Sequence, residues 1–147
     1  MPQVLFIDDE PYHLALAIEI LEEAIPNCEI VVTETAHQSI QWLSEHTPDL
    51  IVMDIFLPLG SKIAESLGPR TKEYQDNMRH LGGIAVLDFL DKRPNPPKVL
   101  THTACTDFEL LEILGDIVHD RIPKPASLEV LLEVIQKELP TTKSSQN

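Results

Sequence analysis

The chain is short of positive charge: 11 Lys plus Arg stand against 24 Asp plus Glu in 147 residues, a formal net charge of −13. A nucleic-acid backbone would be repelled by such a surface, so direct DNA or RNA binding is excluded as the main activity. Cysteine is also scarce. Cys28 and Cys105 are the only two, with no C-x-x-C spacing and no Cys/His cluster, which argues against a zinc site and for reduced, buried thiols in a cytoplasmic protein. No apolar run approaches the roughly 18 residues of a membrane span, and Met1 leads directly into a strand-like run instead of a signal peptide, so neither membrane nor export is expected. What remains is 43% hydrophobic, enough for one globular domain with a real core.

The apolar runs have a common design. Leu50 to Met53 reads as a strand buried on both faces, and it ends in Asp54, with Pro58 four positions later. Val4 to Ile7 ends in Asp8-Asp9-Glu10-Pro11 in the same manner. Pro11 opens a helical pattern with Leu14, Ala17, Ile18, Leu21 and Ile25 on one stripe, stopped by Pro26-Asn27. A β-branched strand over Glu29 to Thr33 and a helix over Thr35 to Ser44 follow, with Trp42 read as a partly exposed packing residue.

Past the central strand, Leu59 to Leu81 shows no strand pattern, although Arg70 to His80 could form a short helix. Gly82-Gly83 opens a helix over Ile84 to Asp91, then come a strand over Lys98 to Thr103 and a helix over Asp107 to Leu114. A short strand over Asp120 to Ile122 ends at Pro123-Lys124-Pro125. Ser127 is placed to cap a last helix over Leu128 to Leu139. Strands and helices alternate, five of each, which predicts a doubly wound parallel sheet with helices on both faces. In such sheets the reactive crevice lies at the carboxyl ends of the strands. Asp8, Asp9, Asp54, Thr103 and Lys124 all fall there.

Taken singly these residues have simpler uses. Asp8-Asp9 could cap a helix, Asp54 could close an Asx turn, and Lys124 could be a solvated loop charge. Jointly, they place three carboxylates, a hydroxyl and an ammonium on one edge. Crowded carboxylates call for a cation, and all-oxygen ligands suit Mg²⁺ better than zinc. One carboxylate could then attack a phosphoryl group while a lysine absorbs charge on its oxygens.

The order D-D after the first strand, D-x-x-x-P after the third, T-A-x-x-D after the fourth and K-P after the fifth resembles the receiver domain of two-component response regulators, from Val4 to about Leu139. The resemblance implies a flavodoxin-like sheet of order 2-1-3-4-5. It makes Asp54 the phosphoacceptor and assigns Mg²⁺ to Asp8, largely through water, to Asp9, to Asp54 and to the carbonyl of Phe56. Thr103 and Lys124 would contact the phosphoryl oxygens. Motif register favours Thr103 over Thr101, and His102 reads as packing. The implied domain spans 1–140, with an insertion at 59–81 and a disordered tail at 141–147. Its implied role is a stand-alone, cytoplasmic phosphoprotein of a two-component system or phosphorelay. It would not be an enzyme beyond its own phosphorylation and dephosphorylation. It would take the phosphoryl group from a histidine kinase or histidine phosphotransfer protein, then bind a downstream protein or pass the group on. A phosphorylation-dependent homodimer is compatible with that role. Leu16 and Ile20, outside the main stripe of the first helix, could dock a helical partner.

Three departures from the family stand out. Arg121 replaces the usual aromatic switch residue, which leaves either a cation that swings between solvent and an acid or a silent position. Phe56 and Cys105 flank the family's path for hydrolytic water, and a ring there predicts a long-lived aspartyl phosphate. Gly82-Gly83 arrives about 20 positions late, so residues 59–81 are either a surface excursion or a docking element that selects the partner. Two other functions compete. A Mg²⁺-dependent phosphatase acting on small molecules would carry a second acid two residues after its nucleophile, where this chain has Phe56. A module that is never phosphorylated would have no use for the intact set of five residues.

Overall fold

The computed structural model describes residues 2–58, 82–104, 118–124 and 126–139. Five parallel strands form one sheet: β1 (Gln3–Ile7), β2 (Glu29–Thr33), β3 (Leu50–Met53), β4 (Lys98–Thr103) and β5 (Val118–Pro123), in the order β2-β1-β3-β4-β5. Four α-helices lie among the described residues: α1 (Ala15–Ala24), α2 (Ala36–Leu43), α3 (Gly82–Asp91) and α4 (Leu128–Glu138). The helix expected over Asp107 to Leu114, the insertion, Cys105 and the tail lie outside the described residues.

Burial follows from strand position. β1 and β3 sit inside the sheet with helices on both faces, and Val4 to Ile7 and Leu50 to Met53 are all buried. That is why they read as continuous apolar runs, not as alternating ones. β2 and β5 are edge strands and are only partly buried. The two faces divide the core. Leu5, Ile7, Ile51, Met53 and Val99 pack with α2 and α3. Val4, Phe6, Leu50, Val52, Leu100 and Ile122 pack with α1 and α4.

Several boundaries differ from the sequence reading. Pro11 does not start the α-helix directly: Pro11–Leu14 is a 3-10 turn that leads into α1. Thr35 is the cap of α2, its hydroxyl accepting from Gln38 N at 3.0 Å, and Ser127 caps α4 by accepting from Val130 N at 3.2 Å. β5 begins at Val118, earlier than expected, because a register shift opposite Val99 and Leu100 accommodates His119, whose ring nitrogen accepts from Val99 N at 3.2 Å. Asn27 takes a positive φ of 60° after Pro26, a conformation asparagine tolerates better than most residues. Trp42 is partly buried and stacks on His46, with ring centroids 4.3 Å apart. Cys28 is half-buried, so it is less enclosed than expected.

The C-terminal end of α2 is closed from the neighbouring helix on the same face of the sheet. Arg93, just past α3, donates to the carbonyls of Leu43 (2.8 Å) and His46 (3.3 Å) and to Thr47 Oγ1 (2.7 Å). These contacts satisfy carbonyls that a helix end leaves without partners.

Candidate functional site

The sheet ladder continues past the strand ends, and this continuation positions the acids. Asp8 N donates to Thr33 O at 3.0 Å and Asp54 N to Ile7 O at 2.9 Å, so both residues are held by backbone pairing one step beyond β1 and β3. On the far side, Lys124 N donates to Thr103 O at 2.9 Å, which fixes the lysine against the end of β4.

Each of the two buried carboxylates divides its oxygens between a local turn and a distant cation. Asp8 Oδ1 accepts from Glu10 N at 2.9 Å, and Asp54 Oδ1 accepts from Phe56 N at 3.0 Å. These are Asx-type turns of the kind the sequence allowed as the simpler use. Their Oδ2 atoms meet Lys124 Nζ, at 2.9 Å from Asp8 and 2.8 Å from Asp54. The turn and the site are therefore one arrangement. Asp8 and Asp54 are 2% and 7% exposed, and an ammonium beside them offsets much of the cost of burying their charge.

Asp9 completes the cluster from the solvent side. One carboxylate oxygen each from Asp8, Asp9 and Asp54 lie within 4.8 Å of one another. Partial desolvation, and then the negative charge of Asp8, hold the Asp9 carboxyl above its ordinary pKa. Such a set, all oxygen and strongly negative, fits a hard divalent cation that keeps several waters, and no Cys or His enters it. Lys124 responds in the opposite sense. Burial works against its ammonium, but the hydrogen bonds and charges of Asp54 and Asp8 outweigh burial and raise its pKa.

Thr103 is 4% exposed at the end of β4, and Thr101 lies one pleat earlier on the same face. The Thr101 hydroxyl is buried without a hydrogen-bond partner. Phe56 is 40% exposed, in the loop just after Asp54, and Arg121 is exposed on the edge strand. Of the predicted residues, Asp8, Asp9, Asp54 and Lys124 are brought into one cluster, and Thr103 adjoins it through the Lys124 backbone.

The sequence reading missed what lets α3 approach the site. A Cβ on Gly83 would lie 2.7 Å from Ile55 Cα and 2.8 Å from Asp54 O, and one on Gly82 would clash with Leu57 O. Gly82 N also donates to Leu57 O at 2.6 Å, and Gly83 N to Ile55 O at 3.2 Å. The double glycine thus seats α3 directly on the backbone that carries Asp54. The Gly-Gly pair was visible in the sequence; its contact with the chain just past Asp54 was not.

No protein-family model matches the sequence, and no curated protein matches it. Solved structures do. A response regulator receiver domain protein (CheY-like) from Methanospirillum hungatei JF-1 superposes with a TM-score of 0.70 at 20% identity, over 94% of this chain and 93% of that one. The signal receiver domain of a signal transduction histidine kinase from Syntrophus aciditrophicus gives 0.66 at 20% identity, over 95% and 90%. A response regulator from Desulfuromonas acetoxidans gives 0.66 at 18%, over 93% and 95%. The fold is that of response regulator receiver domains, as the sequence motifs led one to expect.

Proposed function

We propose that the protein is a receiver: Asp54 accepts a phosphoryl group from a phosphohistidine on a histidine kinase or phosphotransfer protein, with Mg²⁺ bound at Asp8, Asp9 and Asp54. The observation that carries this reading is the cluster itself, in which Asp54 Oδ2 lies 2.8 Å from Lys124 Nζ and one carboxylate oxygen each of Asp8, Asp9 and Asp54 lie within 4.8 Å of one another. In the reaction a carboxylate oxygen of Asp54 bonds to phosphorus as the phosphorus–nitrogen bond to imidazole breaks, and the imidazole leaves with its electron pair. Lys124 supplies a fixed positive charge for the phosphoryl oxygens, and Thr103 a hydroxyl donor. A bound Mg²⁺ adds charge neutralisation on the same oxygens. The Phe56 carbonyl is proposed as a further metal ligand.

The modified protein then binds a downstream protein or hands the group onward, as a cytoplasmic receiver domain over 1–140 whose only catalysis is on itself. No helix among the described residues is long and apolar enough to cross a membrane. Incubation with acetyl phosphate and Mg²⁺ followed by intact mass tests the reading. Wild type should gain one phosphoryl group and Asp54→Asn none; an equal gain in both refutes the assignment.

A further inference from the structure

The face of the sheet covered by α1 and α4 is not filled to its end. A cavity of about 560 Å³ opens there, with Leu16 and Ala17 of α1 on one side and Leu128 and Leu131 of α4 on the other. Its volume falls within the range of small-molecule pockets, and so does its character, an apolar lining with few polar groups. Those groups are His13, His102 and Lys124, and Lys124 has its ammonium committed to Asp8 and Asp54.

His102 is the informative one. It is 8% exposed, and its imidazole forms no hydrogen bond with any of the described residues. It lies between Thr101 and Thr103, which face α2 and α3, so strand alternation turns it toward α1 and α4 and into the cavity lining. An imidazole on the wall of an unfilled cavity offers its ring nitrogen to whatever occupies that space, and an occupant able to hydrogen-bond it would be fixed in orientation there.

From this geometry we infer that the cavity is a binding site for a small, neutral, largely apolar molecule carrying one hydrogen-bonding group directed at His102. Charge on the ligand is disfavoured from both sides. The acidic cluster next to Lys124 and the net charge of −13 repel an anion, whereas a cation would find no carboxylate in the cavity lining to pair with. Burial, and then the ammonium of Lys124, lower the pKa of His102, so at neutral pH the ring is uncharged and offers an acceptor nitrogen.

Indole, flat, neutral and with a single N–H donor, is a suitable probe, with benzoate and benzylamine as charged counterparts of similar size. Amide NMR on the full chain, without phosphodonor or Mg²⁺, reads binding independently of the phosphoacceptor reading. Indole should produce saturable shifts centred on His13, Ala17, His102 and Leu131, with the two charged probes at least 5-fold weaker. Ala126→Phe, which fills the cavity, should abolish the shifts. His102→Leu, which keeps the wall apolar, should weaken binding at least 5-fold. The site is overturned by the absence of saturable shifts at these residues up to the solubility of indole, or by unchanged binding in Ala126→Phe. Equal binding of the charged probes, or full affinity in His102→Leu, overturns the ligand class.

Discussion

Lys124 Nζ lies 2.8 Å from Asp54 Oδ2, although the two residues are 70 positions apart in sequence. The same nitrogen holds Asp8, so a single ammonium balances two carboxylates that are almost fully buried. Lys124→Met removes that balance and leaves both acids without their cation. In metal-free buffer the variant should lose about 3 kcal/mol of stability by urea unfolding, and Mg²⁺ should restore part of it. A loss under about 1 kcal/mol would show that the pair contributes no more than a surface ion pair does.

The two raised pKa values act at opposite ends of the pH scale. Lys124 is raised above its unfolded value of 10.5, so its contribution is complete below that pH and is lost as pH rises through the folded value. Asp9 is raised above 3.8, which for an acid means that ionisation favours the unfolded chain: metal-free stability should fall as pH rises from 3.8 through the folded pKa. Asp9→Asn should therefore unfold at a higher temperature than wild type in EDTA at pH 7. It should also lose most of the stabilisation that Mg²⁺ gives wild type, which is about 2.7 kcal/mol at one hundred times Kd. Equal Mg²⁺ stabilisation in both proteins would remove Asp9 from the metal site.

Thr101 and Thr103 share a face, and their substitutions should have opposite effects. Thr101→Val replaces a buried hydroxyl that has no partner with a methyl of similar shape and should stabilise by about 1 kcal/mol, with phosphorylation unchanged. Thr103→Val should slow phosphorylation by acetyl phosphate. If Thr101→Val is the slower of the two, the motif register is off by one pleat.

Gly83→Ala puts a carbon where Ile55 Cα and Asp54 O already stand, and backbone cannot move aside as a flexible side chain can. The cost should be about 1–3 kcal/mol, with weaker Mg²⁺ binding because the displaced segment carries Asp54. Ala85→Gly, two residues further along α3, should leave Mg²⁺ affinity unchanged.

Phe56 stands two residues after Asp54, the proposed phosphoacceptor, and its amide is tied to the Asp54 carboxylate. With a ring at this position the aspartyl phosphate should persist for minutes or longer in Mg²⁺ buffer, and Phe56→Asn should shorten it. A half-life of seconds in the wild type, followed by loss of the mass gain, would count against crowding of the water path.

Most of the sheet could be read from the chain because β1 and β3 are buried on both faces, and burial on both faces leaves an unbroken apolar run. Asp8, Asp9, Asp54 and Lys124 could be placed at one edge because parallel strands send all their carboxyl ends the same way. The contact between Gly83 and Asp54 was not legible, since close approach depends on where the backbone goes and leaves no periodic mark. The open space beside His102 was not legible for a related reason. A histidine in an apolar strand reads as packing, and His102 is indeed buried, but the cavity it lines between α1 and α4 depends on how the helices sit and leaves no mark in the sequence.

The hydrogen bond from Gly82 N to Leu57 O fastens the chain just before residue 59 to the chain just after residue 81. Once two such points are tied, the entropy of closing the span between them grows only with the logarithm of its length, by about 0.6 kcal/mol for each doubling. The junction beside Asp54 can therefore gain or lose residues over evolutionary time with little thermodynamic penalty. Variation that would be ruinous inside β3 or α3 becomes nearly neutral here, and a lineage can try new chain lengths a few bonds from the Asp54 carboxylate without moving it.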